Sequence, residues 1–295
     1  MAVPNVSEGR SAPVLRSIAQ AFTRGGVRLL DRHADPDHHR AVFTLAGRPG
    51  ELAEALLAGA REAIARIDLQ TPRGLHPHLG ALDIVPIVYL HPDQRGAACA
   101  EALLAAELIG SQLELPVYMY GDLAGGRTRA ELRAGGLSGV AARALRPEFG
   151  PIEPHPSAGA ALVGARPPLI AFNLELAAPA RLEDAKRIAA LVREGGADGI
   201  PGVRAIGLWL VAAGGAAQVS MNVERPTALA EVVAAVARHA PLARAELVGL
   251  APRAAFEGFP SELPIPGFDP ARHLIENALG RLIPRSHNPT NYASR

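Results

Sequence analysis

Cysteine is nearly absent from this sequence. Cys99 is the only one in 295 residues, so no internal disulfide and no cysteine-based zinc site can form. It lies in an alanine-rich helical pattern and reads as a small packing residue. Lysine is as scarce: Lys186 is the only one among 30 basic residues. The positive charge is therefore carried by arginine, whose planar fork suits carboxylates. That bias accompanies an excess of alanine, glycine and proline and is read as compositional. Net charge is also missing, at +1, which offers no case for nucleic acid or an anionic membrane as partner. No apolar run approaches the ~20 residues of a membrane span, and no basic-plus-apolar leader opens the chain. A cytoplasmic setting is expected.

What is present is a chain long enough for two domains at roughly 150 residues each, with ample core. The richest stretch is Thr71–Pro86, TPRGLHPHLGALDIVP. His76 and His78 bracket Pro77, and Gly74 and Gly80 flank them. Proline fixes φ and glycine permits positive φ, so the loop is shaped rather than slack. Imidazole titrates near neutrality and suits general acid–base work. Asp83, at the mouth of the next strand, could orient such a histidine.

Strands are expected at Ala2–Val6, Val27–Asp31, Ala41–Leu45, Ile84–Leu90 and Val117–Tyr120. Helices are expected at Ser11–Thr23, Gly50–Asp68 and Asp93–Leu113. Arg32–Arg40, RHADPDHHR, reads as a dense polar loop. Ser138–Pro168 is rich in glycine, proline and alanine. Within it Gly150–Gly159, GPIEPHPSAG, reads as an ordered functional loop or an interdomain segment.

The order then repeats. Strands are expected at Leu169–Leu176, Ala205–Val211, Gln218–Val223 and Ala245–Gly249, with helices at Ala180–Glu194 and Thr227–His239. Ala213–Gly214–Gly215 marks a hairpin. A short helix Leu274–Leu282 and a polar tail Pro284–Arg295 follow. Each half reads β-α-β-β-α-β, the ferredoxin-like order, so the fold class is α/β (α+β). The expected division is 1–167 and 168–295, with two sheets facing each other across a ligand cleft.

Several blocks together resemble the formiminotransferase part of formimidoyltransferase–cyclodeaminase. They are Val3–Gly9, VPNVSEG; His76–Pro77 with Gly80–Asp83; Pro116–Gly121, PVYMYG; Gly164–Asn173, GARPPLIAFN; Gln218–Asn222, QVSMN; and Glu246–Gly249, ELVG. They keep the family's order and cover nearly the whole chain; the cyclodeaminase half has no counterpart. The resemblance implies two α/β subdomains around a folate tunnel. It implies transfer of a formimino group from N-formimino-L-glutamate to tetrahydrofolate as co-substrate, with no metal. It puts the catalytic histidine at His76 and a folate-contacting segment at Gly150, Pro151, Ile152, Glu153, Pro154, His155, Pro156, Ser157, Ala158 and Gly159. A bulky residue at Gly159 is then expected to weaken folate binding while leaving the fold intact. The chain departs from the family's pattern at His33, His39, Leu75, His78 and Pro167.

Both substrates carry carboxylates, which call for arginine or backbone N–H donors. Arg40, Arg127, Arg129 and Arg166 are the candidates. Asn5 and Ser7 follow the first strand and either donate to substrate or cap the next helix. The partners expected are small molecules, with a homodimer compatible with the chain. Two other readings stand beside this one. His33, His38 and His39 with His76-x-His78 and Asp35, Asp37 or Asp83 could hold Zn²⁺ for an amidine or amide hydrolase. A folate-binding homologue without catalysis is the third.

Overall fold

The structure is a computed structural model of the chain, describing residues 1–70, 78–211, 214–225 and 227–281. His76 and the tail after Arg281 lie outside the described residues. The chain builds two sheets flanked by helices, a mixed α/β fold as the sequence pattern implies.

The first part runs β1 (Asn5–Val6), α1 (Ala12–Phe22), β2 (Arg28–Asp35), β3 (Arg40–Ala46), α2 (Leu52–Arg66), β4 (Leu82–Val88), α3 (Arg95–Leu113) and β5 (Val117–Gly121). Two short helices, α4 (Arg129–Arg133) and α5 (Gly136–Ala142), lead to β6 (Ala161–Arg166). Ser11 is the N-cap of α1, its hydroxyl facing the Val14 amide, and Glu8 accepts from the amides of Arg10 and Ser11. Neither Asn5 nor Ser7 caps this helix, so that plain explanation for them falls away. Leu15, Ile18, Ala19 and Phe22 recur at helical spacing and are buried. Helix α2 meets them so closely that a Cβ on Gly59 would lie 2.0 Å from the Phe22 ring. Glu101 of α3 is buried and accepts the amides of Gly50 (2.5 Å) and Ala53 (2.7 Å), satisfying donors at the start of α2.

The strand order is β2-β3-β1-β4-β6-β5, antiparallel through β4 and parallel from β4 to β6 to β5. The first four strands thus hold the ferredoxin-like arrangement, and the last two extend it. Strand β6 and helix α5 are additions, since no strand or helix is expected from the sequence within Ser138–Pro168. Arg32–Arg40 is a correction. Strand β2 continues to Asp35 and β3 begins at Arg40, leaving a tight turn in which His39 adopts φ 49°. Asp35 holds that turn by accepting the amides of Asp37 and His38.

The second part runs β7 (Ile170–Leu176), α6 (Leu182–Val192), β8 (Val203–Leu210), β9 (Ala216–Val223), α7 (Leu229–Ala237) and β10 (Leu242–Val248), closed by α8 (Pro270–His273) and α9 (Ile275–Gly280). Its order is β10-β7-β9-β8, antiparallel throughout, which repeats the ferredoxin-like arrangement.

Alternation decides what each sheet presents. In β3, Ala41, Phe43 and Leu45 face the helices and are fully buried, while Arg40, Val42 and Thr44 line a cavity. In β7, Phe172 and Leu174 join the second core, while Ala171 and Asn173 line the same cavity. No helix among the described residues is long and apolar enough to cross a membrane.

Candidate active site

Asp83 is the centre of the described site. It sits on β4 with no exposed surface. Its Oδ2 accepts from Arg40 Nη1 at 2.6 Å and from Arg133 Nη2, and its Oδ1 accepts the Leu79 amide at 2.8 Å. Arg40, at the start of β3, also donates from Nε to Asn5 Oδ1 at 2.9 Å. Asn5 is held in turn by its Nδ2, which donates to the Val3 carbonyl. Burial, together with the like charge of Arg133, brings the Arg40 pKa down to about 10 although Asp83 opposes this.

Arg40, Asn5 and Arg166 line the cavity with residues of both sheets, among them Ile84, Asn173, Ser220 and Asn222. Helix α4 adds Arg129 and Arg133. The two are four residues apart, so they share one helix face. Arg129 donates to Glu224, just after β9, at 2.6 Å, while Arg133 reaches Asp83. Arg166, at the end of β6, gives Nη1 to the Pro167 carbonyl at 2.9 Å, and burial brings its pKa down to about 10. Arg127 does not join them. It turns to the Met119 carbonyl and Glu148 and braces the β5 edge.

Ser7 is 2 % exposed and sits away from this cavity. Its Oγ donates to the Gly80 carbonyl at 2.7 Å and lies 2.7 Å from His78 Nδ1. A hydroxyl has one proton, so with that proton on Gly80 the His78 ring donates from Nδ1. Ser7 thereby ties β1 to the chain just after residues 71–77, and His76 itself lies outside the described residues.

The segment 150–159 is ordered by that same stretch rather than by the arginine cavity. His155 and Gly159 exchange backbone hydrogen bonds at 2.8 Å each, a small closed hairpin. Leu69 donates to the Ser157 carbonyl, and Ala81 donates to that of Ala158, so both flanks of residues 71–77 dock on it. His155 Nδ1 accepts the Ala158 amide at 3.0 Å, Ile152 is exposed, and none of the ten residues lines the cavity between the sheets. Gly159 has φ 70°, and a Cβ there would sit 2.2 Å from the Leu79 carbonyl oxygen. The expectation that a bulky residue at Gly159 spares the fold is therefore corrected. Gly159→Val is expected to lose more than the roughly 1–2 kcal/mol of a left-handed conformation, read as a lower urea midpoint. A midpoint equal to wild type would contradict this geometry.

The histidines of the polar stretch do not converge. His33 is on β2, His38 Nδ1 pairs with Asp35 Oδ2 at 2.6 Å, and His39 Nδ1 accepts the Gly9 amide at 3.2 Å beside Glu8. Glu8 is partly buried, which favours its neutral form, yet the amides of Ser11 and Arg10 and the nearby His39 hold its carboxyl below the usual range. Among the described residues no group of three or more His, Cys, Asp or Glu could hold a metal ion.

His33 instead meets the second sheet. Its Nε2 stands 3.3 Å from Glu246 Oε1 of β10, outside hydrogen-bond geometry. Burial would lower its pKa, but Glu246, with Asp31 and Asp35, holds it above the ordinary 6.5. Glu246 is held below its ordinary 4.5, because His33 and the Asn173 amide at 2.8 Å outweigh the effect of burial. The His33 contribution to stability is complete below its unfolded pKa and is lost as pH rises through the raised folded value. The Glu246 contribution is present above its unfolded pKa and is lost as pH falls through the lowered one. His33→Gln is thus expected to lower the melting temperature more near about pH 6 than near about pH 9. Equal losses at both would argue against the pair.

Sequence reasoning did not single out Arg133, Glu224 or the role of Glu246. Arg133 falls in a helix of five residues, too short for a periodic signal. Glu246 stands in the ELVG block, but nothing in the sequence shows that it faces His33.

Two ferredoxin-like sheets share an arginine-lined cavity, and two of its arginines pair with the buried Asp83 carboxylate. Residues 1–166 match the formiminotransferase domain, N-terminal subdomain. Formimidoyltransferase-cyclodeaminase of Rattus norvegicus is 37 % identical over 274 residues, covering 85 % of this chain and 49 % of that protein. Glutamate formimidoyltransferase of Streptococcus pyogenes serotype M1 is 33 % identical over 294 residues, 94 % of this chain and 97 % of that one. The like-named protein of Thermoplasma acidophilum is 33 % identical over 201 residues, 65 % of this chain and 66 % of that protein. The chain spans about half the length of the cyclodeaminase relatives. It belongs to the formiminotransferase domain family.

Proposed function

We propose that the protein transfers the formimino group of N-formimino-L-glutamate to tetrahydrofolate. The observation that carries this reading is the similarity across 97 % of the Streptococcus protein, whose name states the transfer. The cavity supports it, since Arg40, Arg129, Arg133 and Arg166 all line it. Arginine is the residue that grips carboxylates bidentately, and both substrates carry them.

The reaction is attack of the folate N5 amine on the formimino carbon. A tetrahedral species forms as the N5 proton leaves, and it collapses when the glutamate nitrogen receives a proton and departs. His76 serves as the group that takes the first proton and returns the second. Asp83, anchored by Arg40, Arg133 and the Leu79 amide, fixes the chain that follows His76. Asn5 lines the folate side directly, while Ser7 and the segment Gly150–Gly159 act there through the chain on either side of residues 71–77, which they hold. Holding both substrates together supplies much of the remaining acceleration. In this reading the two sheets face each other across a folate tunnel. The chain divides into subdomains 1–167 and 168–295, and works in the cytoplasm on small molecules alone.

The test is direct: purified protein with tetrahydrofolate and N-formimino-L-glutamate, followed for 5-formiminotetrahydrofolate. Product formation at a rate proportional to protein is expected. Folate binding with no turnover would overturn the catalytic reading and leave a binding protein.

A further inference from the structure

We propose that Arg133 and Arg166, backed by Arg129, form a subsite for the two carboxylates of a glutamyl group. The identity of the ligand rests on the formiminotransferase reading; the site rests on charge and geometry. All three side chains line the cavity between the sheets. Together with Arg40 they make four guanidiniums, and the carboxylates paired with them among the described residues are Asp83 and Glu224, the latter shared with Arg204. These guanidiniums outnumber the carboxylates paired with them, and Arg166 has no carboxylate partner among the described residues.

The surplus is matched by hydrogen-bond donors. Arg133 Nε and Arg166 Nε are buried and have no hydrogen-bond partner among the described residues. Tyr120 Oη lies beside Arg166 and interacts with it electrostatically, but the two do not meet in good hydrogen-bond geometry. Buried donors are nearly always satisfied in a finished structure, so those left open mark where an acceptor belongs. Guanidinium edges offer the paired N–H donors that a carboxylate accepts bidentately. Arg166 stands at the end of β6, bounded by β4 and β5, and is held at its head by the Pro167 carbonyl. A side chain fixed in this way loses little freedom when ligand arrives. Burial, joined by the neighbouring Arg129, also pulls the Arg166 pKa down to about 10, although Tyr120 opposes this.

A ligand with two carboxylates supplies counter-charge to these guanidiniums, and both substrates of the proposed reaction offer two: the formimino donor itself and the glutamyl tail of folate. Calorimetric titrations of the full chain separate these sources. The ligands are L-glutamate, 5-formyltetrahydrofolate, and 5-formyltetrahydropteroate, which lacks the glutamyl group. Arg166→Gln is expected to weaken at least one of the first two by roughly tenfold or more. Loss of L-glutamate binding assigns the subsite to the donor. Loss of 5-formyltetrahydrofolate binding, with the pteroate unchanged, assigns it to the folate tail.

Relief of repulsion gives a second signature. Ligand-free Arg166→Gln is expected to melt no lower than wild type, whereas a merely structural arginine would lower the melting temperature. Arg166→Lys keeps the charge without the fork and is expected to bind at an intermediate level; it carries the test should the glutamine variant fail to fold. Unchanged dissociation constants in both variants overturn the proposal, as does a lower melting temperature with unchanged binding. Arginine-dependent L-glutamate binding without turnover would remove the reaction and keep the subsite. Turnover with binding indifferent to Arg166 would do the reverse.

Discussion

His76→Ala is expected to lower kcat by roughly two to four orders of magnitude, the range that a positioned general acid–base group supplies. The amine that attacks must lose a proton, and the amine that leaves must gain one. With the imidazole gone, water has to do both. Binding of 5-formyltetrahydrofolate should change little, because the imidazole acts on one proton and not on the pteridine as a whole. The pH profile of kcat should also lose a limb in the histidine range. His78→Ala is expected to be milder. Its Nδ1 is engaged with Ser7 Oγ at 2.7 Å, which gives it a tethering role in holding the chain after residue 77. Stopped-flow or steady-state assays of both variants at matched folate saturation distinguish them. Full activity in His76→Ala would remove the central claim of the mechanism, and equal loss in both, with a stoichiometric metal in the wild type, would favour the hydrolase.

Asp83→Asn is expected to destabilise the fold by about 3–5 kcal/mol, the usual cost of removing one partner from a buried ionic cluster. The carboxylate is fully buried and serves two guanidiniums and one amide. Asparagine can still accept the Leu79 amide through its carbonyl. Its NH₂ group then faces Arg40 and Arg133, donor against donor, and both cations lose their counter-charge. Urea denaturation at neutral pH measures the loss. Adding Arg133→Met to Asp83→Asn should recover part of it, because one of the two stranded charges goes with the side chain. An unchanged midpoint in Asp83→Asn would mean that the cluster contributes specificity and no stability.

Much of this architecture is legible as alternation and spacing. Phe43, Leu45, Phe172 and Leu174 fall on helix-facing positions, and the repeated β-α-β-β-α-β order emerges in both halves. The end of β2 is not legible because it is the outer strand of its sheet, where charged side chains are at home. RHADPDHHR reads as loop on polarity alone, yet Arg32–Asp35 pair in register with Arg40–Phe43. Strand β6 hides for the opposite reason. Its sequence ALVGAR is short, small and followed by two prolines, and its strand character comes from neighbours on both sides. Of the site, Arg40, Asp83 and Arg166 carry visible sequence signals. Arg133 and Glu224 do not, because they matter only through what the fold brings beside them. The segment Gly150–Gly159 was legible as ordered, and its order turns on the Gly159 backbone and its bridge to Gly80.

Strand β6 also sets a timetable for synthesis. In its sheet β5 has one neighbour, and that neighbour is β6, which arrives forty residues later along the chain and enters between β4 and β5. A nascent chain that stops short of Ala161 can pair β1 to β4 but carries VYMYG without its strand partner, bridged only at Val117 to Phe149, the kind of segment that invites association with other chains. Closure of the sheet and delivery of Arg166 to the cavity are one event, because Arg166 is the last residue of the strand that closes it. A chain that has emerged only to Ala161 holds Arg40, Arg129 and Arg133 but not Arg166, and one that has emerged past Arg166 has every strand of the N-terminal sheet.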